Sequence, residues 1–112
     1  MSGTPLRIDP EAMRANAGRA SDLLKALANE KRLMILCLLV EGERSVGDLN
    51  TRLQLSQPAL SQHLKVLRDE GLVDTRRDAQ SILYSLAPGP AQRILMTLHD
   101  VYCGEGQALC GS

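Results

Sequence analysis

The chain has 112 residues, the size of a single domain, so a second folded domain is not expected. Its 13 Lys and Arg residues balance 13 Asp and Glu residues, which excludes a uniformly basic surface and restricts any nucleic-acid contact to a local patch. Hydrophobic residues make up 44% of the sequence, enough for an aliphatic core, but the absence of Trp and Phe disfavours a protein that stacks single-stranded bases.

The first two predicted helices contain most of the apolar residues of the N-terminal half. Asp9, Pro10 and Glu11 form a helix start, and this helix is expected to continue to about Leu27. Asn29 is predicted to cap a second helix, residues 30–40, which is apolar on every side and is therefore expected to be the buried centre of the fold. The apolar stripe of the first helix comprises Met13, Ala17, Ala20, Leu24 and Leu27.

Two shorter helices follow, separated by a break at residues 54–55. Ser45 is predicted to cap the first of them. Ser56 is predicted to cap the second, which carries Pro58 in its first turn and should continue to about Glu70. The residues of this fourth helix expected to face the core are Ala59, Leu60, Leu64 and Leu67, and those left on its outer face are Gln57, Ser61, Gln62, Lys65 and Arg68.

After Gly71 the pattern changes from helical to extended. Residues 72–77 and 81–86 flank a polar tip at 78–80, which predicts a β-hairpin. A last helix should follow Pro90 and continue to about Cys103. The predicted folded domain therefore spans residues 9–103, between a flexible N-terminus at 1–8 and a flexible tail at 104–112.

Two short helices with a tight break, followed by a hairpin, predict a mainly α winged helix-turn-helix with a β-hairpin wing. A DNA reader of this kind needs short polar side chains at base edges and cations at phosphates. Gln57, Ser61 and Gln62 supply the former near the start of the fourth helix. Arg76 and Arg77 on the hairpin suit the DNA backbone or the minor groove.

Charge counting alone does not distinguish this surface from an ordinary solvated face. Residues 56–80 contain four basic and four acidic residues. The arrangement favours DNA binding, because Asp69 and Glu70 lie at the far end of the fourth helix from the polar residues expected to read bases.

Three parts of the sequence resemble the ArsR/SmtB repressors: residues 27–36, residues 55–68, and the pair 71–73 and 84–86. The resemblance covers about residues 20–103. It implies a homodimer, built from the first and last helices, that blocks transcription until an inducer binds. It also implies base contacts by Gln57, Ser61 and Gln62. The other expected DNA-binding residues are His63, Lys65, Arg76 and Arg77, although His63 is interpreted equally well as a packing or capping histidine.

The sequence departs from the metal-sensing members of that family. Their third helix carries Cys-Val-Cys-Asp-Leu, whereas this chain has Ser-Val-Gly-Asp-Leu at residues 45–49. Their last-helix zinc site needs Asp-x-His and a second His with an acid, whereas here Asp100 follows His99 and no second His is present in that helix. We therefore expect no metal site and no cofactor.

The three cysteines are Cys37, Cys103 and Cys110, too few and odd in number for a disulfide framework. The N-terminus lacks the basic start and apolar stretch of a signal peptide, and the longest apolar run, residues 33–40, is too short to cross a bilayer. The chain is therefore expected to be cytoplasmic, without a membrane partner, and its cysteines are expected to be thiols in a reducing compartment.

The segments around Cys37 and Cys103 resemble the persulfide- and sulfide-responsive branch of the same family, in which this pair of thiols is the sensor. Cys37 alone would be interpreted as a small core residue. The second thiol and the missing metal ligands favour the sensor. Cys110 has no obvious counterpart in the family, and it is either inert or a competitor for Cys103.

The expected function is thus a dimeric repressor that binds double-stranded operator DNA and is released by low-molecular-weight persulfides, through a disulfide or polysulfide bridge between Cys37 and Cys103. The alternatives within the same class are repressors that respond to peroxide, to another oxidant, to a drug, or to a metal bound at an unfamiliar site. A thiol enzyme is disfavoured, because there is no Cys-x-x-Cys and no nucleophile-activating motif. A winged-helix protein-interaction module is disfavoured by the polar residues of the fourth helix and the two arginines.

Overall fold

The computed structural model describes residues 7–103. The elements follow the order α1 (Pro10–Leu27), α2 (Glu30–Val40), β1 (Arg44–Ser45), α3 (Val46–Leu53), α4 (Gln57–Asp69), β2 (Val73–Asp78), β3 (Ser81–Leu86) and α5 (Pro90–Cys103). The predicted winged helix-turn-helix is confirmed, with α3 and α4 as the helix pair and β2–β3 as the wing. The expectations for the chain ends, including Cys110, fall on residues 1–6 and 104–112, outside the described residues.

Each of the first four helices begins at the predicted capping residue, whose side chain accepts hydrogen bonds from the first turn. Asn29 Oδ1 accepts from the backbone N–H groups of residues 31 and 32, at 2.9 and 3.1 Å. Ser45 Oγ accepts from the N–H of Asp48 at 3.1 Å, and Ser56 Oγ accepts from that of Ala59 at 3.2 Å. Asp9 caps α1 in the same way. These caps fix where α3 and α4 start, and hence where the polar face of α4 lies.

The sheet has three antiparallel strands in the order β1-β3-β2. The hairpin register pairs Val73 with Leu86 and Asp78 with Ser81, which leaves a two-residue turn. Ala79 in that turn has φ of +59°, because two-residue hairpin turns require a positive φ. The strand β1, which pairs with β3, was not predicted, since two residues carry no readable alternation.

The core is aliphatic, as the composition predicted. Its fully buried side chains are those of Ile35, Leu36, Leu49, Leu60 and Leu67, contributed by α2, α3 and α4. The wing adds Val73 and Tyr84, and α5 adds Ala91 and Leu95. The helix-turn-helix and the wing are thus packed against one common support, α2.

Two helices, α1 and α2, expose apolar residues that were expected to face inward. The prediction that α2 is buried on all sides is wrong, because Met34, Cys37 and Val40 lie on a face turned away from the core. Of the predicted stripe of α1, Met13 and Leu24 are exposed in the single chain. Apolar periodicity identifies such faces but does not say whether the same chain covers them. No helix within residues 7–103 is long and apolar enough to cross a membrane.

Candidate DNA-binding interface

The turn between α3 and α4 fixes the relative direction of the two helices. Gln54 ends α3 in the left-handed region, with φ of 56° and ψ of 42°. Its N–H donates to the carbonyl of Asn50 at 2.8 Å, and the Asn50 amide donates to the carbonyl of Leu55. The Asn50 amide therefore bridges the break between the helices, and three residues separate the end of α3 from the start of α4.

An open groove of about 910 Å³ lies between the start of α3, the outer face of α4 and the wing. Three of the predicted DNA-binding residues, Gln57, Ser61 and Lys65, line it, and all three are exposed. They are four residues apart along α4, so they form one row on one helix face. The groove thus joins the predicted reading residues to the wing on a single concave surface.

Lys65 shares this row with a carboxylate that the sequence placed at the far end of the helix. Its Nζ donates to Asp69 Oδ2 at 2.8 Å, and both side chains are largely exposed. Such an exposed pair is weak, so Lys65 can exchange Asp69 for another anion at little cost.

Two further predicted residues of α4 lie outside the groove lining. Gln62 is exposed on α4, one residue after the groove-lining Ser61. His63 is partly buried, and its Nδ1 lies 3.5 Å from Arg32 Nη1 on α2. Burial, together with the positive charges of Arg32 and Lys31, lowers the pKa of His63. His63 therefore has the packing position that was the alternative interpretation of this residue.

The two wing arginines differ in their surroundings. Arg76 donates from Nε and Nη2 to the two carboxylate oxygens of Glu43, at 2.6 and 2.8 Å. This fork raises the pKa of Arg76 and lowers that of Glu43. Arg77 pairs in register with Ile82, which lines the groove, so the two residues share one face of the wing, although Arg77 itself is outside the groove lining. Among the described residues, Arg77 has no ion-pair partner.

Groove residues on both walls were not predicted to bind DNA. Arg68 lies on α4 one turn beyond Lys65, and the wing contributes Gln80, Ser81 and Ile82. The helical period of α4 already placed Arg68 on the outer face, so a signal for it existed. The wing tip gave none, because its polar residues were interpreted only as a turn.

The predicted sensor thiols lie at the ends of two different helices. Cys37 is an exposed free thiol in the last turns of α2, and burial of its sulfur by neighbouring atoms raises the pKa of the thiol. Cys103 is the last residue of α5 and is disulfide-bonded. The structure therefore does not join Cys37 to Cys103. Within residues 7–103, no group of three or more His, Cys, Asp or Glu side chains is arranged to hold a metal ion.

Comparison with known proteins gives consistent matches along the whole chain. Residues 29–75 match the family described as "Bacterial regulatory protein, arsR family". The transcriptional activator HlyU of Vibrio cholerae is 47% identical over 107 residues, which cover 96% of this chain and 97% of that protein. The structure of reduced HlyU from the same organism superposes with a TM-score of 0.78 at 50% identity, covering 83% of this chain and 98% of the other.

Two further structures extend this comparison. The transcriptional repressor BigR of Xylella fastidiosa superposes with a TM-score of 0.79 at 42% identity, covering 86% of this chain and 98% of the other. The homodimeric winged helix-turn-helix DNA-binding domain Mb0332 of Mycobacterium bovis superposes with a TM-score of 0.73 at 30% identity, covering 96% and 94% of the two chains. The relatives are regulators of transcription, which confirms the expectation of a regulator rather than an enzyme.

Proposed function

The chain belongs to the ArsR family of bacterial regulatory proteins, and we propose that it is a homodimeric repressor that binds operator DNA through the groove face of α4 and the wing. We further propose that reactive sulfur species release the repressor from DNA by reacting with Cys37 and Cys103. The observation that carries the DNA-binding part is the groove itself. It presents the polar row Gln57, Ser61 and Lys65 together with the wing, and these are the side chains that base edges and phosphates require.

Exposed apolar surface on the first and last helices supports the dimer. Met13 and Leu24 on α1, and Val101 and Tyr102 on α5, are each about half exposed or more in the single chain. Apolar side chains repeated along two helices favour burial against a partner. A two-fold axis would present two copies of α4 to successive major grooves of a near-palindromic duplex, as in other dimeric helix-turn-helix proteins. The homodimeric relative has the same fold.

The proposed sensor chemistry needs both thiols in the reduced form. A cysteine thiolate attacks the outer sulfur of a persulfide RS–SH, the S–S bond breaks, and the products are Cys–S–SH and the thiolate RS⁻. The second cysteine thiolate then attacks Sγ of the first cysteine, the S–S bond of the persulfide breaks, and the products are a disulfide and HS⁻. If both cysteines carry an added sulfur, attack of one persulfide on the other gives a trisulfide and again releases HS⁻.

One structural feature supports the sensor assignment. Cys37 is accessible on the exposed face of α2, so a small persulfide can reach it. Cys103 is disulfide-bonded in the structure, so that bond must be reduced before Cys103 reacts as a thiolate. A bridge between them would tie the end of α5, part of the proposed dimer surface, to α2, the support of the groove.

The first experiment tests DNA binding. The Gln57→Ala and Ser61→Ala variants should each bind an operator, selected from a random duplex pool, about 1–3 kcal/mol more weakly than the wild type does. Their binding to random duplex should weaken less, because a base contact is specific to the operator sequence. Arg93→Ala, on α5 outside the groove, is the control. Equal losses on operator and random duplex would contradict the assignment of base contacts to this row.

The second experiment tests the sensor on protein reduced beforehand with a thiol reagent. Glutathione persulfide should join Cys37 to Cys103, seen by mass spectrometry, and weaken operator binding. Cys37→Ser and Cys103→Ser should each bind DNA when reduced and lose the response, whereas Cys110→Ser should respond normally. A response abolished by Cys110→Ser and retained by Cys37→Ser would overturn the assignment.

A response to peroxide is the second candidate, and the disulfide at Cys103 favours it, since peroxide forms such bonds without added sulfur. The same titration with hydrogen peroxide in place of glutathione persulfide separates the two. Release by peroxide at equal or lower concentration would make an oxidant the inducer.

A further inference from the structure

The short segment from Glu43 to Ser45, which contains strand β1, connects the helix that carries Cys37 to both walls of the groove. It follows α2 after two residues and runs directly into α3. Arg44 pairs with Tyr84 in β3, so the segment is also the edge of the wing sheet. We call it the β1 segment.

Arg44 joins the end of α2 to the start of α3 through one guanidinium group. Its Nε donates to the carbonyl of Leu38 at 3.1 Å, and Leu38 follows Cys37 directly. Its Nη1 donates to Asp48 Oδ2 at 2.8 Å, in the first turn of α3, and its Nη2 donates to Glu41 Oε1 at 2.5 Å. The Arg44 side chain is only 14% exposed.

The neighbours of Arg44 extend the connection to the wing and to the cap of α3. Glu43 accepts both hydrogen bonds of the Arg76 fork on β2. Ser45 caps α3 and itself lines the groove. A displacement of the last turn of α2 therefore reaches α3 through Arg44, and reaches the wing through the backbone and through Glu43.

We propose that Arg44 is the positioning residue that transmits a change at Cys37 to the groove. A planar guanidinium holds its donors in one rigid fork, so it cannot follow the Leu38 carbonyl without moving relative to Asp48. A bridge at Cys37 that shifts the last turn of α2 must then either shift the start of α3 or break one arm of the fork. The first case changes the spacing of the groove walls, and the second removes the hydrogen-bonded link that holds the start of α3 to α2. This inference rests on the proposed sensor function.

Arg52 provides a matched control on the same carboxylate. Its Nε donates to Asp48 Oδ2 at 3.1 Å, but it lies on α3, is half exposed and, among residues 7–103, makes no side-chain hydrogen bond or ion pair to α2. Arg52→Gln removes a cation from Asp48 and leaves the connection to Leu38 intact. Arg44→Lys keeps the charge of Arg44 but removes the fork, and Arg44→Gln removes both.

The experiment measures operator Kd for reduced and for persulfide-treated protein and takes their ratio for each variant. For the wild type we expect a ratio of about 5- to 150-fold, the usual range of coupling between two sites. Arg44→Lys and Arg44→Gln should form the Cys37–Cys103 bridge to the same extent, by mass spectrometry, with ratios that fall toward one. Arg52→Gln should keep the wild-type ratio. If Arg44 has only a structural role, its replacement should weaken operator binding by the reduced and by the persulfide-treated protein by the same factor, and the ratio of the two Kd values should stay unchanged.

The outcomes separate the inference from the function on which it rests. A wild type that forms the bridge and keeps its operator affinity overturns the sensor function, and the role of Arg44 with it. A wild type that responds, with Arg44→Gln responding equally, overturns the role of Arg44 alone. If Arg44→Gln does not fold, as judged by circular dichroism, Arg44→Lys and Asp48→Asn decide the question by the same ratio.

Discussion

Replacing Arg77 by Ala should change the salt dependence of DNA binding more than removing the neighbouring arginine does. Arg77 shares a face of the wing with the groove-lining Ile82 and, among the described residues, has no ion-pair partner. Arg76 is held by both oxygens of Glu43, so its charge is already compensated within the protein. Only a cation that releases counterions from DNA contributes to the salt slope.

The size of the effect follows from the number of phosphates lost. The slope of log K against log salt is about −0.9 for each phosphate neutralised, so losing one contact in each half of a dimer makes it shallower by about 1.8. Between about 50 and 200 mM salt, wild-type affinity should therefore fall about 12-fold more than that of Arg77→Ala.

The assay is a titration of labelled duplex at several salt concentrations, on the selected operator and on random DNA. The control is the double variant Glu43→Gln with Arg76→Gln, which removes one charge of each sign and leaves the net charge unchanged. We expect the double variant to keep the wild-type slope. An unchanged slope for Arg77→Ala, with a shallower slope for the double variant, would refute the distinction between the two arginines.

Three further predictions concern stability and reactivity. Ser56→Ala should lower the free energy of unfolding in urea by about 1 kcal/mol, because the N–H of Ala59 loses its capping acceptor; no loss would contradict the cap. Leu36→Ala should cost about 2–5 kcal/mol in the same assay, since its side chain is fully buried, and a cost no greater than that of Met34→Ala, on the exposed face of the same helix, would contradict the packing of α2. In reduced protein lacking the other two cysteines, alkylation of Cys37 should rise with pH around a midpoint higher than in the urea-unfolded chain, because the raised pKa delays thiolate formation; a lower midpoint would contradict it.

Local signals in the sequence were sufficient to predict the helices and the wing. Asp9, Asn29, Ser45 and Ser56 cap the helices they were predicted to cap, because a cap depends only on the few residues that follow it. The hairpin was predicted from its alternation, with a boundary error of one residue, since the strand begins at Val73. Such features need no knowledge of distant contacts.

Three features that were not predicted depend on residues far apart in sequence. Arg76 looked like a free cation until the fold placed Glu43, 33 residues earlier, beside it. His63 lay on a predicted polar helix, but Arg32 reaches it from α2, 31 residues away. The exposure of Cys37 depends on which side of α2 the other helices cover, and apolar composition on every side of that helix carried no such information.

The balanced charge of the chain makes the geometry of the groove decisive for DNA binding. Because the chain has 13 basic and 13 acidic residues, it has no net positive charge that would attract DNA, and affinity must come from a few well-placed contacts. Arg68 lines the α4 wall of the groove, Arg77 lies on the wing opposite the groove-lining Ile82 in register, and neither arginine has an ion-pair partner among residues 7–103. Two cations on separate elements can reach their phosphates together only at one spacing of α4 and the wing. Under the proposed function, a change at Cys37 that alters this spacing through the β1 segment would therefore remove phosphate contacts as well as base contacts from a protein that has no net positive charge.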